Sequence, residues 1–218
     1  MQASSEAAIR NFVRSQSATI VWMASGFSVE LILAIMVLAL FGTADRGTDG
    51  ALQVTARFSF LLFLPAYCGG ALTTLWGPSF EPIRKRGRDF GLTFAAAHLV
   101  HLGLVAWLCW IGAAPPRATF VFFGIAAAWL YGLAALSIDR LHRAIGRVVF
   151  QWLNLVGLNF IALAFADDFL QFPPQADAEY LLGYLPFVIL SVAAPVLRVA
   201  ASGLKVWRNR RNSRFPAH

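Results

Sequence analysis

Residues 84–110 read RKRGRDFGLTFAAAHLVHLGLVAWLCW. Four basic side chains, Arg84, Lys85, Arg86 and Arg88, give way at once to an apolar run that extends over 90–112. About 20 mostly apolar residues are enough to cross a bilayer as a helix. The run is therefore long enough to span, and its basic flank marks a segment that resists translocation. His98 and His101 are its only imidazoles, and three residues of spacing put them on one helical face.

Five more runs of the same kind lie to either side, near 18–41, 55–76, 118–138, 148–166 and 180–201, joined by short links. The composition agrees. Of 218 residues, 58% are hydrophobic and 13% charged, where a soluble domain carries about a quarter charged. Such a chain has too few polar groups to cover a surface facing water, so lipid is the expected solvent. The reading is an all-α integral membrane protein, a six-helix transmembrane bundle at 18–201. A short segment precedes it at 1–17, and a basic tail follows at 202–218.

Placement of Lys and Arg sets the orientation, because these residues are retained on the cytoplasmic side. Arg10 and Arg14 precede the first span, and the loop at 84–88 follows the second. Arg140, Arg143 and Arg147 follow the fourth. Arg198, Lys205, Arg208, Arg210, Arg211 and Arg214 close the chain. Fifteen of the eighteen basic residues thus fall in alternate segments; the opposite ones hold Arg46, Arg57 and Arg117, and the loop at 166–180 is acidic. Both termini are expected in the cytoplasm, with the protein in the inner (cytoplasmic) membrane. Trp22, Trp76, Trp107, Trp110 and Trp207 fall near the expected interfaces. The polar start lacks the apolar core of a signal peptide, so no cleavage is expected.

The net charge of +7 resides in these loops and the tail. It points to anionic lipid as a contact rather than nucleic acid, for which no recognition module is visible. Cys68 and Cys109 lie within apolar runs without a CxxC pairing and read as small buried residues. No Walker A, GxGxxG, GxSxG or HExxH pattern occurs. The two lysines, Lys85 and Lys205, both lie outside the spans, which excludes a retinal Schiff base within them.

Ionisable groups at membrane depth cost roughly 2.5–3.5 kcal/mol on insertion scales and are expected to face protein. Glu30 lies about twelve residues into the first span, near mid-depth at ~1.5 Å per residue. It reads either as a proton-linked or ligand-pairing carboxylate or as a protonated acid in a structural hydrogen bond. His98 and His101 read either as ligands to haem or another metal or as inter-helix hydrogen-bonding groups. Asn154 and Asn159, on the fifth span, are accounted for by amide hydrogen bonds between helices. Counted from one face, Glu30, His101 and Asn159 come out at similar depth, which predicts a polar layer on the first, third and fifth helices.

Over residues 52–170 the chain resembles the ferric-reductase-like transmembrane family, which includes the haem-binding membrane subunit of the methionine sulfoxide reductase system. TARFSFLLFL is similar to the family's opening of the second span, with Arg57 in the arginine position. RKRGRDFGL, then His101 ten residues after Gly91, is similar to its third span, where a histidine at that spacing ligates haem. DRLHRAIGRVVFQWLN is similar to the approach to its fifth span, on which the family carries two more haem-ligating histidines. Asn154 and Asp167 stand at those positions here, and His142 lies in the preceding loop. The resemblance implies an oxidoreductase membrane subunit without its own flavin or NAD(P) domain. It would bind a b-type haem through His101, with His98 second, and exchange electrons with a protein partner. The missing fifth-helix ligands leave open a haem-free accessory subunit packed in a larger membrane complex. A third reading is a proton-coupled transporter using Glu30 and the histidines, although no inverted repeat is evident.

Overall fold

A computed structural model describes the backbone of residues 2–138, 145–171 and 178–214, and the side chains of 16–137, 145–171 and 183–211. The expected roles of Arg140, His142, Arg143 and Asp177 lie outside the described residues, as do the side chains of Arg10, Arg14, Glu179 and Arg214.

The described residues are helical, with no strand among them. In order they form α1 (Gln2–Phe41), α2 (Asp45–Trp76), a 3-10 turn (Pro78–Phe80), α3 (Glu81–Lys85), α4 (Gly87–Trp110), α5 (Arg117–Ile138), α6 (Arg147–Leu170) and α7 (Ala178–Arg214). All but α3 and the turn are long and apolar enough to cross a membrane, over Gln16–Phe41, Asp45–Trp76, Gly87–Trp110, Arg117–Ser137, Arg147–Leu170 and Gly183–Arg211. The protein is a multi-pass membrane protein. Large apolar side chains stand exposed on every one of the six, up to 74% at Leu40 and 83% at Trp110. A water-soluble fold would bury them.

The helices overrun the apolar runs. The polar start at 2–17 is continuous with the first span, because neither glycine nor proline interrupts the chain before Gly26. α2 begins at Asp45, whose carboxylate suits a helix amino-terminus. Its 32 residues make it about 48 Å long at ~1.5 Å per residue, against a hydrocarbon core of about 30 Å. α7 likewise carries the basic tail as helix to Arg214. Special residues end the helices. Gly42, at φ 84°, takes the left-handed conformation that closes α1, its N–H donating to the Leu38 carbonyl at 2.9 Å. Pro65, Pro186 and Pro195 sit inside helices, as membrane helices tolerate.

The chain divides into two compact units, Met1–Phe63 with Arg88–Pro115, and Leu64–Gly87 with Pro116–His218. In the first, α1, the opening part of α2 and α4 meet around buried Ala34, Ala51, Val100 and Leu104. Trp22 sets edge-on against Phe90, and Phe63 packs at a tilt on Phe94. Small residues let these backbones approach, as membrane interfaces favour. In the second unit α5 packs against α6 and α6 against α7, with Phe122 on Phe160 and Phe169 on Phe187. Cys68 is buried there.

Candidate functional site

Glu30 is completely buried in the first unit. Facing it is Ser59 of α2, whose Oγ lies 3.2 and 3.0 Å from the two carboxyl oxygens. The same Oγ is 3.3 Å from His98 Nδ1 on α4. Three helices thus meet through one hydroxyl. One turn earlier on α2, Thr55 Oγ1 lies 2.9 Å from His101 Nδ1. The imidazoles of His98 and His101 stack face to face, with centroids 4.8 Å apart and planes 13° from parallel, and Phe94 packs against His98 from the other direction. The result is one contiguous polar cluster, Glu30–Ser59–His98–His101–Thr55, within an apolar unit.

Counting protons orders the hydrogen bonds. Thr55 Oγ1 is also 2.9 and 3.0 Å from the carbonyls of Ala51 and Leu52, the back-bonding arrangement of a threonine in a helix. A hydroxyl has one proton, and a carbonyl can only accept. With that proton on its own backbone, Thr55 accepts from His101, which therefore carries N–H on Nδ1 and the free lone pair on Nε2. Ser59 is different: its hydroxyl stands between a carboxyl group and an imidazole, either of which can donate or accept.

The structure brings Glu30 and His101, two members of the expected Glu30–His101–Asn159 layer, together with His98, and adds two residues that sequence reasoning passed over. Ala51, Thr55 and Ser59 recur every four residues on α2, all fully buried. That stripe of small and hydroxyl residues is the signal that would have found them. Asn159 belongs to the second unit, where Tyr67 Oη donates to its Oδ1 at 2.7 Å and its own Nδ2 donates to the Leu155 carbonyl at 2.6 Å. The Arg198 guanidinium lies over the Tyr67 ring, 4.3 Å from its centroid. Asn154 is half-buried on α6. Asp167, near the end of the same helix, accepts from Gln171 Nε2 at 2.7 Å.

These geometries test the fit of a haem. Two axial ligands of one iron must point at each other across the metal. His98 and His101 lie side by side on one helix with parallel faces, so this pair cannot provide both. His101 alone would hold the iron, since metal-ligating histidines have their other ring nitrogen fixed by a hydrogen bond, and Thr55 does that here. Among the described residues no group of three or more His, Cys, Asp or Glu side chains converges as a metal site. Comparison with known protein families, characterised proteins and solved structures finds no match to this chain.

Proposed function

We propose that this protein is a membrane electron-transfer subunit of ferric-reductase-like type, with His101 as the ligand to a b-type haem. The observation that carries the reading is the Thr55–His101 hydrogen bond at 2.9 Å, which leaves Nε2 as the free nitrogen. The haem, when bound, supplies one-electron chemistry. The chain's own residues hold it: His101 offers the nitrogen, Thr55 fixes the ring, and His98 stacks on its face to limit rotation. The sequence resemblance over 52–170 supports the same assignment. In this reading the charge bias places both termini in the cytoplasm and the protein in the inner membrane, beside a partner protein that carries the flavin or other donor.

The test is an oxidised-minus-dithionite-reduced spectrum of the purified chain. A Soret band at one haem per chain is expected, lost in His101→Ala and kept in His98→Ala. A haem-free spectrum from cells supplied with haem overturns the proposal and leaves an accessory subunit, which a specific co-purifying membrane protein would identify.

A second reading has its own observation. Glu30 is fully buried and held by Ser59, and an intramembrane carboxyl is a natural proton acceptor. As a proton-coupled transporter, the chain would release protons from acid-loaded proteoliposomes and Glu30→Gln would stop it. A wild-type flux no greater than that of empty liposomes removes this reading.

A further inference from the structure

α7 interrupts its apolar run with Arg198, and Arg210 follows twelve residues later. Between and around them, Pro195, Val199, Ser202, Gly203, Val206 and Trp207 recur at three- and four-residue steps, so all eight lie along one helical face. Opposite them stand Leu155 and Asn159 of α6, and the two helices enclose a groove of about 630 Å³. Its walls are mostly apolar. Its polar lining consists of Asn159, Arg198, Ser202 and Arg210, and none of the lining residues is acidic.

The neutral polar groups are already engaged. Asn159 is bonded to Tyr67 and to the Leu155 carbonyl, and Ser202 Oγ donates to the Arg198 carbonyl at 2.9 Å. Arg198 is the exception. Its guanidinium lies on the Tyr67 ring, yet its Nη1 is buried without a hydrogen-bond partner among the described residues. A buried guanidinium nitrogen requires an acceptor, preferably an anionic one. An apolar groove with a cationic donor at its wall and a second arginine about 18 Å along the helix, at ~1.5 Å per residue, matches a molecule with a phosphate and long hydrocarbon chains.

We infer that this groove is a binding site for one anionic glycerophospholipid. Its headgroup lies along the groove between Arg198 and Arg210, with the phosphate accepting from Arg198, and an acyl chain packs against Leu155 and Pro195. The site lies wholly in the second unit and does not depend on haem at His101.

Native mass spectrometry of the full chain in detergent, with added phosphatidylglycerol or phosphatidylcholine, tests this. The wild type is expected to retain one phosphatidylglycerol through gas-phase release and to lose phosphatidylcholine. Arg198→Gln and Arg210→Gln should each weaken retention about fivefold, the effect of one basic residue at a membrane surface. Arg84→Gln, on α3, should leave it unchanged. Arg210→Gln covers the case in which loss of the Tyr67 contact unfolds the Arg198 variant. Equal retention of the two lipids overturns the inference, as does unchanged phosphatidylglycerol binding in Arg210→Gln. Displacement of the lipid by millimolar inorganic phosphate would reassign the groove to the free anion and overturn it too.

Discussion

Ser59→Ala deletes one oxygen and unpartners two groups. The wild-type hydroxyl contacts Glu30 at 3.0 and 3.2 Å and His98 at 3.3 Å. Ser59 and Glu30 have no exposed surface, so water cannot take over. Two estimates bracket the cost. Interhelical hydrogen bonds in membranes average about 0.6 kcal/mol, which gives roughly 1.2 kcal/mol for two. Stranding a buried polar group costs about 1–3 kcal/mol. The contact at 3.3 Å belongs at the weak end of that range and the carboxyl contact in its middle, so the second estimate reaches about 3 kcal/mol. A loss of about 2 kcal/mol is expected, read as the shift in SDS-driven unfolding in mixed micelles followed by circular dichroism. The decisive comparison is the same substitution made in Glu30→Leu. With the carboxyl gone, Ser59→Ala strands only His98 and should cost under ~1 kcal/mol, a coupling of at least ~1 kcal/mol between the sites. Additive effects, or a single-variant loss under ~0.5 kcal/mol, would refute the linkage of these side chains through one hydroxyl.

Thr55→Val keeps the shape and removes the acceptor for His101. If His101 holds haem, affinity should fall about 10–100-fold, measured by haem titration, with helix content unchanged. At Gly157 on α6, an added Cβ would lie 2.7 Å from Trp129 Cε3 and 2.9 Å from Leu133 Cδ1 on α5. Gly157→Ala should therefore destabilise by about 1–3 kcal/mol, whereas Gly124→Ala, with open space around it, should stay within ~0.5 kcal/mol in the same assay. On α3, the Arg84 hydrogen bond, aided by the charges of Arg84 and Lys85, holds the Glu81 carboxyl below its ordinary range. The pairing is complete above the unpaired carboxyl's pKa and is lost as pH falls through the lowered one. Carbon-13 NMR should show Arg84→Gln moving the Glu81 titration upward; an unmoved titration would exclude the pairing.

The six spans were legible because lipid as solvent imposes a requirement that a long apolar run must meet. Their ends were less so. Hydropathy reports where polar residues begin, whereas helical hydrogen bonding runs on through polar residues until the chain turns, as at Gly42, and so α1 reaches back to Gln2 and α7 forward to Arg214. A similar distinction governs the site. Glu30, His98 and His101 were conspicuous because their burial is costly wherever their partners are. Ser59 and Thr55 were not, because a hydroxyl in a helix can satisfy itself: Thr73, Thr74, Ser137 and Ser202 all donate to the carbonyl four residues back. Only spatial neighbours separate a hydroxyl at rest from one in use.

That difference also separates the two histidines, which share a helix face and stack on each other. Thr55 behaves like Thr73, Thr74 and Thr93, with its proton held by its own backbone, so it accepts from His101, whose Nε2 is left free. Among the described residues Ser59 donates to no backbone carbonyl; its proton lies toward Glu30 or toward His98. If Glu30 is ionised, Ser59 donates to the carboxylate and His98 must carry N–H on Nδ1. If Glu30 is protonated and donates to Ser59, the hydroxyl turns to His98, which must then present a lone pair at Nδ1. The tautomer of His98 thus follows the protonation of a carboxyl group on another helix, while that of His101 does not. Two histidines three residues apart thus differ in what fixes them, His101 by a hydroxyl whose proton is on its own backbone and His98 by one shared with Glu30.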